Sequence, residues 1–183
     1  MIFLNSLGTV NIYTERCLLR RFEPTDAYYV FKSYSSLENV AKFLNNESHK
    51  TIFETELMIY EFLKNYNNLN YYNWVIVENK TNTIIGTISI HEIDLYNDKG
   101  EIGIIISPYY QKKGYAKEVV GAVINFAFYK LNIHRLEAKV MLDNKASNNL
   151  FRNLKFIFEG VLFSSIKKNN QFFDVNLYSL INL

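Results

Sequence analysis

The chain has 183 residues, 49% hydrophobic and 16% aromatic, with a formal net charge of +2. That length suits one domain, residues 1–183, with a sizeable core, and so even a charge balance argues against a nucleic acid or an acidic membrane as partner. A lone cysteine, Cys17, excludes an internal disulfide and fits a cytoplasmic protein, and the scattered histidines His49, His91 and His134 lack metal-ligand spacing.

The opening "MIFLNSLGTV" has no basic segment followed by an apolar run of about 7–15 residues, so no signal peptide is expected. No apolar run reaches the roughly 18 residues that a membrane span needs. "VNIYTERCLLRRF" (Val10–Phe22) reads as one extended first strand. "EPTDAYYVFKSYSS" reads as a helix with Pro24 near its start and Asp26 in its first turn. Thr51 and Glu54 stand at capping-box spacing and open a second helix through "ELMIYEFLKNY".

Strands follow. "NWVIVEN" and "TIIGTISIHEI" form a hairpin across "NKTNT", and "EIGIIIS" is the next strand, ended by Pro108. From Gly114 to Leu131 the apolar residues Val119, Val120, Val123, Ile124, Ala127 and Phe128 recur at helical spacing. "RLEAKVML" is a strand, "NKASNNLFRNL" a short helix opened by an Asp/Asn cap, and "FIFEGVLFSSIKK" and "QFFDVNLYSLI" are two last strands about the turn "KNNQ". The order predicts a mixed α/β (α+β) domain around one sheet.

The stretch "SPYYQKKGYAKEVV" (Ser107–Val120) places a strand end, a glycine and a helix start in sequence. A helix that begins there presents unpaired N–H groups and the positive end of its dipole, which suits a phosphate. Gly114 lets the backbone turn tightly, and Lys112, Lys113 and Lys117 add positive charge. A plain solvated helix start fits the turn as well. The phosphate-loop and dinucleotide patterns GxxxxGK[ST] and GxGxxG are absent, which argues against a P-loop nucleotidase or a Rossmann dehydrogenase.

"QKKGYA" resembles the pyrophosphate loop of the GNAT acetyltransferases, and "EIGIIISPYYQKKGYAKEVVGAVINFAFYKLNIHRLEAKVMLDNKASNNLFRNLKF" resembles that family's core. "YTERCLLRRFEPTDA", "FEGVL" and "FDVNLYSL" resemble the branch that acetylates ribosomal-protein N-termini and its spermidine-acetylating relatives, so the likeness runs from about Thr14 to Ile181. The resemblance implies a largely antiparallel central sheet with flanking helices and two splayed parallel strands. It implies acetyl-CoA as cofactor and a primary amine as acceptor: a protein N-terminus, a polyamine or another small amine. A monomer or homodimer is implied in turn.

Residue by residue, the resemblance assigns the backbone of Ile104, Ile105 and Ile106 to the pantetheine arm. It assigns Gln111, Lys112, Lys113, Gly114, Tyr115, Ala116 and Lys117 to the pyrophosphate. Asn144 matches an asparagine that contacts pantetheine and doubles as a helix N-cap; Asn149 and Asn153 are further cofactor candidates. Glu101 matches a glutamate that serves some relatives as general base, with Glu92 and then His91 as alternatives, and Ser147 matches a serine offered to the CoA sulfur.

The chain departs from the family at three positions. Phe151 stands where many relatives carry a tyrosine acid, while Lys112 and Lys155 stand where glycine is usual. Phe151 cannot donate a proton, and this keeps a non-catalytic acyl-CoA-binding module in play as the alternative. Lys155 predicts a helix that ends less tightly or a lysine that accepts a left-handed backbone. The acceptor groove is expected near Phe31–Phe43, "NYNNLNYYN" and "NNQFFDVNLY", with Glu38, Glu47, Glu92, Asp174 and Tyr178 as candidates.

Overall fold

A computed structural model describes residues 5–183. The first four residues of the opening segment, on which part of the signal-peptide expectation falls, lie outside the described residues. The sequence between Val10 and Phe22 is not one strand. A turn at 14–16 divides it into β1 (Ile12–Tyr13) and β2 (Cys17–Arg20), which pair antiparallel. The Thr14 hydroxyl accepts from the Cys17 N–H, and this side-chain bonding to nearby backbone folds the chain back.

Helix α1 (Ala27–Val30) follows a 3-10 turn at Pro24–Asp26 and runs on into a π turn at Phe31–Ser35. A short α2 (Glu38–Ala41) was not anticipated from sequence. Helix α3 (Ile52–Asn65) opens where the capping pattern predicts: the Glu54 N–H donates to the Thr51 hydroxyl, while the Glu54 carboxylate accepts from the Lys50 N–H, one residue outside the ideal box.

The remaining elements are β3 (Tyr72–Glu78), β4 (Thr83–Asp94), β5 (Lys99–Ile106), α4 (Tyr115–Tyr129), β6 (Arg135–Met141), α5 (Lys145–Asn153), β7 (Ile157–Lys168) and β8 (Gln171–Ile181). The β7–β8 turn carries Asn169 and Asn170 at φ 49° and 59°, the left-handed pair that a two-residue hairpin loop requires.

The eight strands form one sheet in the order β1-β2-β3-β4-β5-β6-β8-β7. Both faces are covered, so β3 is buried along its whole length. Trp74 and Ile76 pack with Val119, Val120, Val123 and Ala127 of α4 on one face, while Val75 and Val77 pack with Phe22, Val30 and Ile59 on the other. Every pairing is antiparallel except β5 with β6, which runs parallel only over Lys99–Glu101 and Arg135–Glu137. Beyond Glu101, β5 stays with β4 as far as Ile106, and beyond Glu137, β6 follows β8 to Met141. The two strands therefore part, and the expected splay is present. An irregularity in β4 between His91 and Asp94, with Glu92 at φ 52°, lies beside the fork and adds local twist.

Candidate active site

The parting strands open into a cleft of about 1560 Å³. Its floor includes Glu101 and Ile102–Ile106 of β5 and Lys139–Met141 of β6. From Ile102 onward β5 has no ladder partner on its β6 side, so backbone polar groups on that edge face the cleft. The Gln111 amide satisfies one of the carbonyls at the end of the strand, donating to Ile106 at 2.9 Å.

Gly114 caps α4 in the left-handed conformation, φ 85°. The first intrahelical bond is the Glu118 N–H to the Gly114 carbonyl, so the N–H groups of Tyr115, Ala116 and Lys117 precede the ladder and are open to an anion. Gln111, Lys112, Gly114, Tyr115, Ala116 and Lys117 all line the cleft; Lys113 does not. The Lys113 ammonium lies 5.1 Å from the Tyr110 ring centre, and its carbonyl accepts from Arg16 at 2.9 Å. Lys112 occupies a left-handed position, φ 60°, where a glycine would be unstrained.

Arg16 and Glu118 escaped the sequence reading. Arg16 Nε donates to Glu118 at 2.6 Å and its guanidinium sits 4.3 Å above the Tyr115 ring. Glu118 also accepts from the Thr14 hydroxyl at 2.6 Å and from the Arg16 N–H at 2.8 Å. Burial pushes Glu118 upward, but these hydrogen bonds outweigh it and hold its carboxyl below the usual range. The signal available in sequence was an acid in the first turn of the predicted helix, where the dipole favours negative charge.

On α5, the Asn144 side chain accepts from the Ser147 N–H at 3.2 Å, so it is an N-cap. Asn144, Ser147, Asn149 and Asn153 line the cleft together. Asn148 was overlooked. It is buried, donates to the carbonyls of Met141, Leu142 and Asn144, and accepts from Asn176 and Tyr178. One of four asparagines between Asn144 and Asn153, it carries no pattern that marks it as the buried one. Phe151 is 3% exposed and packs on Phe156 and Tyr178, so its ring serves the core as well as the cleft wall.

The opposite wall of the cleft is the sheet face toward α1. Strand register puts Asn73 opposite Ser89, Thr87 opposite Ile105, Ser89 opposite Gly103 and His91 opposite Glu101. Asn73, Thr87, Ser89, His91 and Glu101 line the cleft on this face. Glu101 Oε2 accepts from Lys139 at 2.6 Å, and Oε1 lies 3.5 Å from His91 Nε2. Burial raises the Glu101 pKa, but His91 and Lys139 outweigh it and the net shift is downward.

The rest of the expected groove is partly revised. Tyr34, Asn39, Phe43, Glu47, Asn68, Asn70 and Tyr71 line it, whereas its hairpin wall comes from Ser165 and Ile166 rather than "NNQFFDVNLY". Tyr178 is buried against Asn148, Asp174 accepts from the Ser164 N–H within the hairpin, and Glu38 pairs with Lys50 outside the cleft lining. Among the described residues no His/Cys/Asp/Glu group is placed to hold a metal, and no helix is long and apolar enough to cross a membrane.

The model of the acetyltransferase (GNAT) domain matches residues 16–157. The chain belongs to the GNAT acetyltransferase family. It is 32% identical over 168 residues to an uncharacterized N-acetyltransferase of Bacillus subtilis, YoaA, covering 92% of this chain and 94% of that one. It is 33% identical over 172 residues to the uncharacterized N-acetyltransferase p20 of Bacillus licheniformis, covering 93% and 95%. A crystal structure of a GNAT-family acetyltransferase from Bacillus anthracis superposes with a TM-score of 0.83 at 26% identity, over 94% of this GNAT chain and 98% of the other.

Proposed function

We propose that the protein is an acetyl-CoA-dependent N-acetyltransferase acting on a primary amine, on the branch resembling ribosomal-protein N-terminal and spermidine acetyltransferases. The observation that carries this reading is that one cleft joins the parted β5 and β6, the open N-terminus of α4 at Gly114, and a polar amine-side face. The backbone of Lys112–Lys117, with the charges of Lys112 and Lys117, holds the pyrophosphate. The free edge of Ile104–Ile106 receives the pantetheine arm, flanked by Asn144, Asn149 and Asn153. Acetyl-CoA supplies the activated acetyl group.

Ser147 lines the cleft from the first turn of α5 and hydrogen-bonds the departing sulfur. Glu101 serves the amine side from the fork of the strands. The acceptor is a protein N-terminus or a small amine. Glu47 and Glu92 are the other carboxylates among the described lining residues, and either suits a cationic acceptor.

The test is incubation with acetyl-CoA and a panel of amines, reading free thiol, with calorimetry for acetyl-CoA itself. Thiol release with at least one amine is expected. Neither release nor binding would end the proposal. A second reading, a binding module without turnover, draws on the buried ring of Phe151 in place of a tyrosine acid. Ser147→Ala decides between them: an enzyme loses at least about tenfold in turnover while acetyl-CoA binding persists, which is the mark of an interaction made in the transition state.

A further inference from the structure

Four side chains form a chain along the amine-side face. Ser89 Oγ lies 3.3 Å from His91 Nδ1, His91 Nε2 lies 3.5 Å from Glu101 Oε1, and Glu101 Oε2 lies 2.6 Å from Lys139 Nζ. The direction of the chain has a chemical sense. A carboxylate beside Nε2 favours the imidazole tautomer that carries its hydrogen there, which leaves the Nδ1 lone pair free on the Ser89 side.

Space has been left for that ring. Gly103 sits opposite Ser89, and a Cβ added there would stand 3.1 Å from His91 Cε1 and 3.5 Å from Ser89 Oγ. The imidazole therefore lies against the bare backbone of Gly103, immediately before the Ile104–Ile106 edge. Its side chain is 47% exposed, whereas the Glu101 side chain is 12% exposed. Of the two, His91 is the one an acceptor reaches.

We propose that His91 is the general base of the transfer, with Nδ1 as the accepting atom, and that Glu101 is a positioning residue that holds the ring and compensates its positive charge. This rests on the acetyltransferase reading above and changes the role given there to Glu101. A carboxylate already bonded to an ammonium is a poor proton acceptor, whereas imidazole changes charge between pH 5 and 8. In the transfer, an ammonium R–NH3+ gives one proton to Nδ1. The freed lone pair forms the C–N bond at the thioester carbonyl, the C–S electron pair leaves on sulfur, and the sulfur takes one further proton from the attacking nitrogen. The amide retains the last N–H, and His91 returns its proton to solvent.

The charged groups that bear on His91 are Glu92 on its own strand, Glu101 on β5 and Lys139 on β6; Glu137 neighbours them on β6, and Glu47 and His49 line the same cleft. Removing the Glu101 charge takes away the carboxylate that faces Nε2 and, with it, the preference for a hydrogen on that nitrogen.

Two measurements test this. Nitrogen NMR of the His91 ring in wild type and Glu101→Gln, without any acceptor, is expected to place the hydrogen on Nε2 in wild type and to show that preference reduced in the variant. With an amine that is turned over, His91→Gln is expected to lose about 100-fold in kcat at unchanged acetyl-CoA affinity, and added imidazole is expected to restore part of it. Glu101→Gln is expected to lower kcat less than His91→Gln does and to add little to it in the double variant. An unchanged His91 tautomer in Glu101→Gln overturns the pairing, and His91→Gln retaining more than a third of wild-type kcat overturns the base. Absence of thiol release with every amine strikes instead at the acetyltransferase reading, and the ring-nitrogen NMR still judges the pair.

Discussion

Lys155 shows a sequence departure resolved at a single residue. Helix α5 ends in a regular Schellman motif: the Phe156 N–H donates to the Phe151 carbonyl and the Lys155 N–H to the Arg152 carbonyl, both at 3.0 Å. The Phe151 and Phe156 rings, 5.0 Å apart, make the apolar contact that accompanies it. Lys155 sits at φ 68° in the position that prefers glycine, so the end is tight and the lysine accepts the strain. Lys155→Gly removes a left-handed penalty of about 1–2 kcal/mol and adds about 0.5–1 kcal/mol of unfolded-chain entropy. A net gain of about 1 kcal/mol is expected, seen as a rise of about 2–4 °C in Tm for a chain of this size. A lower Tm would mean that the lysine side chain makes contacts worth more than the strain. The position was legible because glycine has one physical reason to be there. Asn148 was not, since which of several nearby asparagines turns inward depends on Asn176 and Tyr178 of β8, 28 and 30 residues away.

At the scale of elements, the turn between β1 and β2 supports the N-terminus of α4. Arg16 reaches the Lys113 carbonyl, the Tyr115 ring and the Glu118 carboxylate, so three points between 113 and 118 rest on one side chain. A Cβ on Gly114 would lie 3.3 Å from Arg16 Nη2, which ties the glycine to the same support. Arg16→Ala is expected to weaken acetyl-CoA binding about tenfold by calorimetry, through a loop held less firmly, with kcat at saturating acetyl-CoA largely kept. An unchanged affinity would show that the loop is rigid by itself. The sequence marked the loop because it is local: strand end, glycine, helix start. It read the support as part of one long strand, because the turn at 14–16 is made by Thr14 bonding its own neighbours and by Glu118 more than a hundred residues away. The strand and helix order was recoverable for the opposite reason. Each element carries its own periodicity, and the Asn169–Asn170 turn carries its own backbone signature.

For the whole molecule, charge pairs hold together the half of the sheet beyond the fork. Arg135 on β6 donates to Glu137 on its own strand and to both oxygens of Glu159 on β7; Ser179 on β8 donates to the same Glu159, and Lys139 binds Glu101. β5 and β6 share only three paired positions on each strand, so the pairs that cross between them, Lys139 with Glu101 and Lys99 with Glu137, bear on how the two halves stay joined. The hydrogen bonds from Arg135 and then Ser179 hold Glu159 down to about 2, and Glu101 and Glu118 are also shifted below the usual carboxylate range. A carboxyl whose folded pKa is depressed binds fewer protons folded than unfolded. Its contribution is complete above the unfolded value of about 4.5 and is lost as pH falls toward the folded value. Thermal melts by circular dichroism are therefore expected to give a Tm nearly level from pH 7 to about 5 and falling from about pH 4.5 to 2. Glu159→Gln cannot titrate, so it is expected to start from a lower Tm at pH 7 and to lose less of it on acidification. Identical slopes for variant and wild type would place the acid sensitivity in the other carboxylates, and Glu101→Gln, which also breaks the contact nearest the fork, is then the variant to compare.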